Sequence, residues 1–339
     1  MNDLPRDLVL KALRHKETDF CPYVIWIKDA ELKSRLAAFY QVEDIFNGII
    51  CNHIEFCGHI KAALRPLPDG SYQDEFGTLL DIGNIPHVIQ PALAAPSLSG
   101  YTFPSLTTDE HFLRVPGYIQ KFPDRFRIVQ LLELFFERAW NMRGMQEFLM
   151  DIVSEPAFVE NLLDQLLDIM LDCVEKIGQD HGAEVDAIGW TDDYGGQKNL
   201  MISPRSWRKI FKPRLAILCE RIHRAGKFVF FHSCGNIEAI LPDLIEIGVD
   251  ILNPIQPETM DIFKLKREYG QDICFFGGLG TQQTLMHGSP REVKSEVAAC
   301  LQGMRTGGGF VIAPAKDIMS NVPFENALAL IDSLRLQEF

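Results

Sequence analysis

The sequence predicts an α/β protein built as a (β/α)8 TIM barrel, and three observations carry the prediction. From about residue 126 onward, short β-rich apolar runs alternate with longer amphipathic stretches, which is how the strand and helix units of a parallel sheet read in sequence. Six runs lie in that region and two more upstream, and eight is the count that closes a barrel. Each later run is followed at once by polar, small or reactive residues, as the catalytic rim of a barrel requires.

The start, MNDLPRDLVLKALRH, reads as an amphipathic helix extending the barrel at its N-terminus. PYVIWI (22–27) and NGIICNHIEF (47–56) supply the first two strands. Between 60 and 105 the rhythm breaks. LPDGSYQDEFGTLLDIG sets Pro68, Asp69 and Gly70 among alternating polar and apolar residues, which predicts a β-hairpin inserted after the second strand and covering the barrel mouth. The remaining strands are RFRIVQLLEL (126–135), EVDAIGW (184–190), KFVFF (227–231), VDILN (249–253), DICFF (272–276) and GGFVIA (308–313). Stretches such as AFVENLLDQLLDIMLDCVEKI and PREVKSEVAACLQGM between them carry apolar residues at helical spacing. With no linker, charge tail or low-complexity segment, residues 1–339 read as a single domain.

Hydrophobic residues make up 47% of the chain and charged residues 23%, which suffices for a sizeable core. A balance of 33 basic against 46 acidic residues gives a net charge of −13, opposing nucleic acid and anionic membrane surfaces as partners. The first helix lacks the uninterrupted apolar core of a signal peptide, and no apolar run approaches the ~20 residues that cross a bilayer. The cytoplasm is the expected location. Eight scattered cysteines without any CxxC argue against a disulfide scaffold and a closed structural zinc site. A homo-oligomer is compatible with all of this.

FFHSCGN raises the sharpest chemical question. Alternate strand residues share a face, so His232 and Cys234 are presented together where the strand stops. Zinc takes neutral imidazole and thiolate, so the pair reads either as two metal ligands of an open site or as a satisfied histidine beside a buried thiol. Asp192 and Asp193 follow another strand. As neighbouring carboxylates they repel, so one can hold a proton and act as acid or base, while the glycines at 195 and 196 let their loop approach a ligand. The alternative has one of them capping the next helix and the other facing water. Lys316 leaves the last strand beside Asp317, either to meet a developing oxyanion or as a solvated ion pair. Glu137, with Glu133, lies near the end of the 126–135 run. Asn253, Gln256 and Gln282 offer amides to a substrate, and Trp190 stands next to the aspartate pair.

Taken together, these residues resemble the uroporphyrinogen decarboxylase superfamily, in its branch of corrinoid-dependent methyltransferases. The resemblance runs from LVLKALRHKETDFCP through DEFG (74–77), FERAWNMRGMQEFLMD, and GWTDDYGGQKNL onward past FFHSCGNI, to GGLGTQQTL and GGFVIAPAKDIMSNVPFENALALI. It implies the barrel and, at His232 and Cys234, two zinc ligands. The branch's third ligand is a cysteine after the last strand. Here PAKD places Lys316 at that position, and an ammonium cannot ligate zinc, so Asp317, Asp192 or Asp193 completes the shell or no metal is held. The arginine-rich RQAGRYLPEY-like segment of true uroporphyrinogen decarboxylases is replaced by PYVIWIKDAELKSRL, which disfavours porphyrinogen decarboxylation.

The resemblance implies demethylation of a small methyl donor such as a methoxylated aromatic, with the methyl group passed to Co(I). No DxHxxG corrinoid signature occurs, so the corrinoid is expected on a partner protein. Asp192, Asp193 and Lys316 are the expected catalytic residues, with Trp190, Glu137, Asn253, Gln256 and Gln282 toward the substrate. The alternatives are methyl transfer from a methylated corrinoid to a thiol, decarboxylation of a small carboxylate, and a noncatalytic scaffold.

Overall fold

The computed structural model describes residues 3–83 and 86–337. In chain order the strands are β1 (Ile54–Ile60), β2 (Leu64–Pro66), β3 (Tyr72–Asp74), β4 (Leu79–Asp81), β5 (His87–Gln90), β6 (Phe126–Leu132), β7 (Ala187–Thr191), β8 (Phe228–His232), β9 (Ile251–Ile255), β10 (Cys274–Leu279) and β11 (Phe310–Pro314). β1 and β6 to β11 form one curled parallel sheet in that order, with helices between successive strands. The extended segment 22–28 lies between the two ends of this sheet. Tyr23 and Ile27 bridge in parallel to Ile312 and Ile318 on one side. On the other, the His53 N–H donates to the Tyr23 carbonyl at 3.1 Å, and the Asn52 amide accepts from Ile25 N–H at 2.8 Å and donates to Ile25 O at 3.0 Å. A side-chain amide thus stands in for a strand peptide at the seam. For that reason the second strand begins at Ile54, later than the 47–56 read from the sequence.

Strand alternation sorts the apolar residues into two layers. Val24, Ile54, Phe126, Ile128, Ala187, Phe230, Ile251, Cys274, Phe276, Val311 and Ala313 pack together inside the curl, joined by Val9, Ala12 and Leu13. Their alternates, including Ile188, Trp190, Val229 and Phe231, face the helices. The first helix, Pro5–Leu13, starts on a proline that needs no N–H partner there. Its apolar stripe seals the end of the sheet where the strands begin. Gly309 N–H donates to Ala12 O at 2.8 Å, Arg6 N–H to Asp124 O at 2.9 Å, and the Arg6 guanidinium meets Asp186 at 2.7 Å. With that end plugged, the opposite rim is the end of the sheet that stays open to a ligand.

The insertion differs from the expected hairpin. It is a four-stranded antiparallel sheet in the order β2-β3-β4-β5. Strands of three or four residues are too short to show a period of two, so only the Pro68–Gly70 turn was visible in sequence. The sheet is anchored on the helix Phe136–Arg143. Buried Asp74 pairs with buried Arg138, whose guanidinium also lies 4.4 Å from the centre of the Phe76 ring, and Leu93 N–H donates to Met142 O at 2.7 Å. Among the described residues no helix is long and apolar enough to cross a membrane.

Candidate active site

β8 alternates Val229 and Phe231 outward with Phe230 and His232 inward, so the imidazole emerges at the open rim. There the Asn253 Oδ1, at the matching position of β9, accepts a hydrogen bond from His232 Nδ1 at 2.7 Å. This bond fixes the tautomer and turns the Nε2 lone pair toward Cys234, whose thiol it accepts. Cys234 Sγ lies 3.5 Å from that Nε2 and Asp193 Oδ1 lies 4.0 Å from it. The three ligand atoms fall within 4.8 Å of one another, on side chains that are all partly open. Ligands of a tetrahedral zinc ion at about 2.0–2.3 Å lie roughly 3.3–3.8 Å apart, so nitrogen and sulfur are already at ligand spacing and the carboxylate needs only a small shift. The donor set, one imidazole, one thiol and one carboxylate, fits zinc with a position left open. Burial, followed by the charge of Asp193, pushes the Cys234 thiol up to about 12, and Lys316 pulls the other way.

The paired aspartates separate. Asp193 turns to the rim, where its Oδ1 also accepts Cys234 N–H at 2.7 Å. Asp192 is fully buried and both its oxygens are taken: Oδ1 accepts Glu137 N–H at 2.9 Å, and Oδ2 accepts Phe136 N–H at 3.0 Å and the Tyr194 hydroxyl at 2.9 Å. It caps the helix Phe136–Arg143, which precedes it in the chain, rather than the next helix. Burial lifts its carboxyl to about 7 despite those donors. The same cap carries Glu137 to the rim. Burial first, then the charges of Asp192, Asp193 and Glu133, push the Glu137 carboxyl up to about 9, so it keeps its proton at neutral pH.

Gly195 and Gly235 bring two backbones together, not a backbone and a ligand. A Cβ on Gly195 would lie 2.6 Å from Cys234 O, and one on Gly235, at φ +80°, would collide with Gly195. Asn236 N–H donates to Gly196 O at 2.8 Å across this crossing, locking the Asp193 loop to the Cys234 loop. Gln256 serves the same joint, its Oε1 accepting Gly235 N–H at 2.9 Å. Trp190 packs in the layer between sheet and helices, 4.8 Å from Phe231, because position 190 of β7 points outward. Gln282 is exposed, with its backbone amide held by Glu258 at 2.8 Å. Lys316 is an exposed rim residue, and Asp317 pairs with Lys28 at 2.6 Å instead of joining the triad.

Sequence reasoning missed the floor and the far wall of this mouth. Trp26 lies 5.1 Å from Phe56 and 6.0 Å from Phe276, and Phe56 lies 5.5 Å from Phe230, making an aromatic floor inside the curl. Trp26 and Phe56 are partly open to the mouth side. His59, 6.1 Å from Phe56 by ring centres, stands above them with a hydrogen bond to Gln130. A period-two reading of 54–60 would have turned His59 outward. A bulge between Phe56 and Gly58 shifts the alternation, and nothing in the sequence marks it apart from the glycine.

The family described as Uroporphyrinogen decarboxylase (URO-D) matches residues 136–336, more than half of the chain. The chain is similar to the Methylcobamide:CoM methyltransferase MtaA of Methanosarcina barkeri, 27% identical over 199 residues that cover 56% of this chain and 55% of that one. It thus spans about half the length of that relative. It is also similar to the Methylated-thiol–coenzyme M methyltransferase of Methanosarcina mazei, 25% identical over 292 residues, covering 82% of this chain and 72% of the relative. A solved structure described as a methyltransferase from Methanosarcina mazei shares the fold, with a TM-score of 0.72 at 19% identity over 99% of both chains.

Proposed function

We propose, for a chain that belongs to the uroporphyrinogen decarboxylase family, that it is a corrinoid-dependent methyltransferase. On this reading it takes the methyl group of a small methyl ether, above all a methoxylated aromatic, and passes it to the Co(I) of a partner corrinoid protein. One observation carries the reading: a metal-capable triad of Asp193, His232 and Cys234 shares a mouth with a floor of aromatic rings. The names of the relatives support the corrinoid part. The eightfold closure of the barrel belongs to the same reading, with segment 22–28 as the first strand.

An arene lying against Trp26 and Phe56 would present its methoxy group toward the triad. The acceptor's electron pair forms the new bond to the methyl carbon, the C–O bond breaks, and the ether oxygen keeps that pair. A zinc ion held by Asp193, His232 and Cys234 would supply Lewis acidity to that oxygen. Glu137 holds a proton at the same rim and can deliver it to the leaving oxygen. Lys316 adds a positive charge nearby, and Asp192 acts only through the helix it caps.

The second reading is methyl transfer from a methylated corrinoid to a thiol, and the names of both curated relatives favour it. Product analysis separates the two. Supplied with 3-methoxyphenol carrying a labelled methyl group and with cob(I)alamin, the protein should move the label to cobalamin, and His232→Ala should slow this at least ~100-fold. Thiol methylation from methylcobalamin without any ether demethylation would overturn the leading reading.

A further inference from the structure

We propose that the wall of the mouth opposite the triad is an anion subsite, in which His59, Lys61 and Arg114 receive the carboxylate of an aromatic methyl donor. The proposal rests on the methyl-donor reading and narrows its substrate class. Its basis is the placement of charge around one rim. The acidic groups Glu133, Glu137, Asp192 and Asp193 all follow β6 or β7. The cations gather on the far side: Lys28 ends the extended segment, Lys61 follows β1, and Arg114 precedes the helix Val115–Lys121 that packs on β1. In a chain with a net charge of −13, a quadrant of three cations runs against the overall composition.

His59 marks the centre of that quadrant. It is open to solvent and lies on the inner face of β1, beside Gln130 of β6 in register and 6.1 Å from the Phe56 ring, and burial by these neighbours lowers its pKa. The charges of Lys61, Lys28 and Arg114 act on it in the same direction. Two carboxylates lie beside these residues and both are engaged elsewhere: Asp317 offsets Lys28 at 2.6 Å, and Glu75 accepts from Ala63 N–H and meets His111, each at 2.8 Å. Lys61 and Arg114 are left to meet an incoming anion, with His59, hydrogen-bonded to Gln130, between them. Phe56 connects the subsite to the floor, so an arene across Phe56 and Trp26 would span from the cations to the triad.

The test compares 3-methoxybenzoate with its neutral analogue 3-methoxybenzyl alcohol by calorimetry on the isolated full chain, with no corrinoid present. The benzoate should bind at least ~10-fold more tightly at low salt, and the gap should narrow as ionic strength rises. Lys61→Met and Arg114→Met, both at exposed positions, should each weaken benzoate several-fold and leave the alcohol unchanged. Equal binding of the two probes, no binding of either, or equal losses for both in the variants would overturn the subsite. Benzoate binding as described without label transfer to cob(I)alamin would sink the methyl-donor reading and leave the subsite standing. Label transfer with no preference for the benzoate would do the reverse.

Discussion

Asp192 and Asp193, adjacent in the chain, are put to opposite uses. The first has its oxygens filled by two amides and a phenol in the interior, and the second holds one oxygen toward a thiol and an imidazole at the rim. Asp192→Ala leaves three buried donors without an acceptor and should cost about 3 kcal/mol or more in urea unfolding. Asp193→Ala should change stability by less than about 1 kcal/mol and abolish zinc retention on dialysis. Asn253 acts one step further out. Asn253→Leu removes the bond that fixes the His232 tautomer, and chelator competition should show zinc affinity reduced by about 10–100-fold. The sequence made His232, Cys234 and the aspartate pair legible, because strand ends and reactive residue types coincide. It could not say which aspartate faces the rim, since that depends on where the helix Phe136–Arg143 docks.

Secondary-structure elements carry the site by locking to one another. The insertion sheet is fastened to the Phe136–Arg143 helix through Asp74 and Arg138, and Arg138 Nε also donates to the Glu133 carbonyl at 3.1 Å, just before the turn that brings Glu137 into place. Arg138→Met strands a buried carboxylate and should destabilise by about 3–5 kcal/mol in urea unfolding. At the seam, burial lowers His53 from 6.5 to about 4, beside the Tyr23 backbone it bonds to at 3.1 Å. The folded imidazole therefore resists a proton that the unfolded chain accepts. The stability it contributes is complete above pH 6.5 and is lost as pH falls toward 4, on the order of 3 kcal/mol at the lower end. Thermal unfolding of His53→Gln across this window should lack that slope relative to the wild type. From β6 onward the strand runs were readable to within three positions, whereas the run read at 47–56 became a strand only from Ile54 to Ile60. The three-residue strands of the insertion, the β1 bulge and the Asn52 seam were not, because each departs from a simple period of two.

The molecule as a whole is a parallel sheet plugged at one end by its first helix and open at the other, and this asymmetry gathers the chemistry at one rim. Composition gave the apolar core and the overall acidity. It could not reveal that Glu133, Glu137, Asp192 and Asp193 share one side of the mouth and cations gather on the other, since those cations come from separated stretches of chain. Everything proposed for catalysis depends on Asp193, His232 and Cys234 acting as one ligand set. Zinc K-edge X-ray absorption on the zinc-loaded protein tests this most directly. The account predicts one sulfur at about 2.3 Å with nitrogen and oxygen ligands at about 2.0–2.1 Å, the sulfur shell disappearing in Cys234→Ser. A bound ion without sulfur, or a spectrum unchanged in Cys234→Ser, would contradict it.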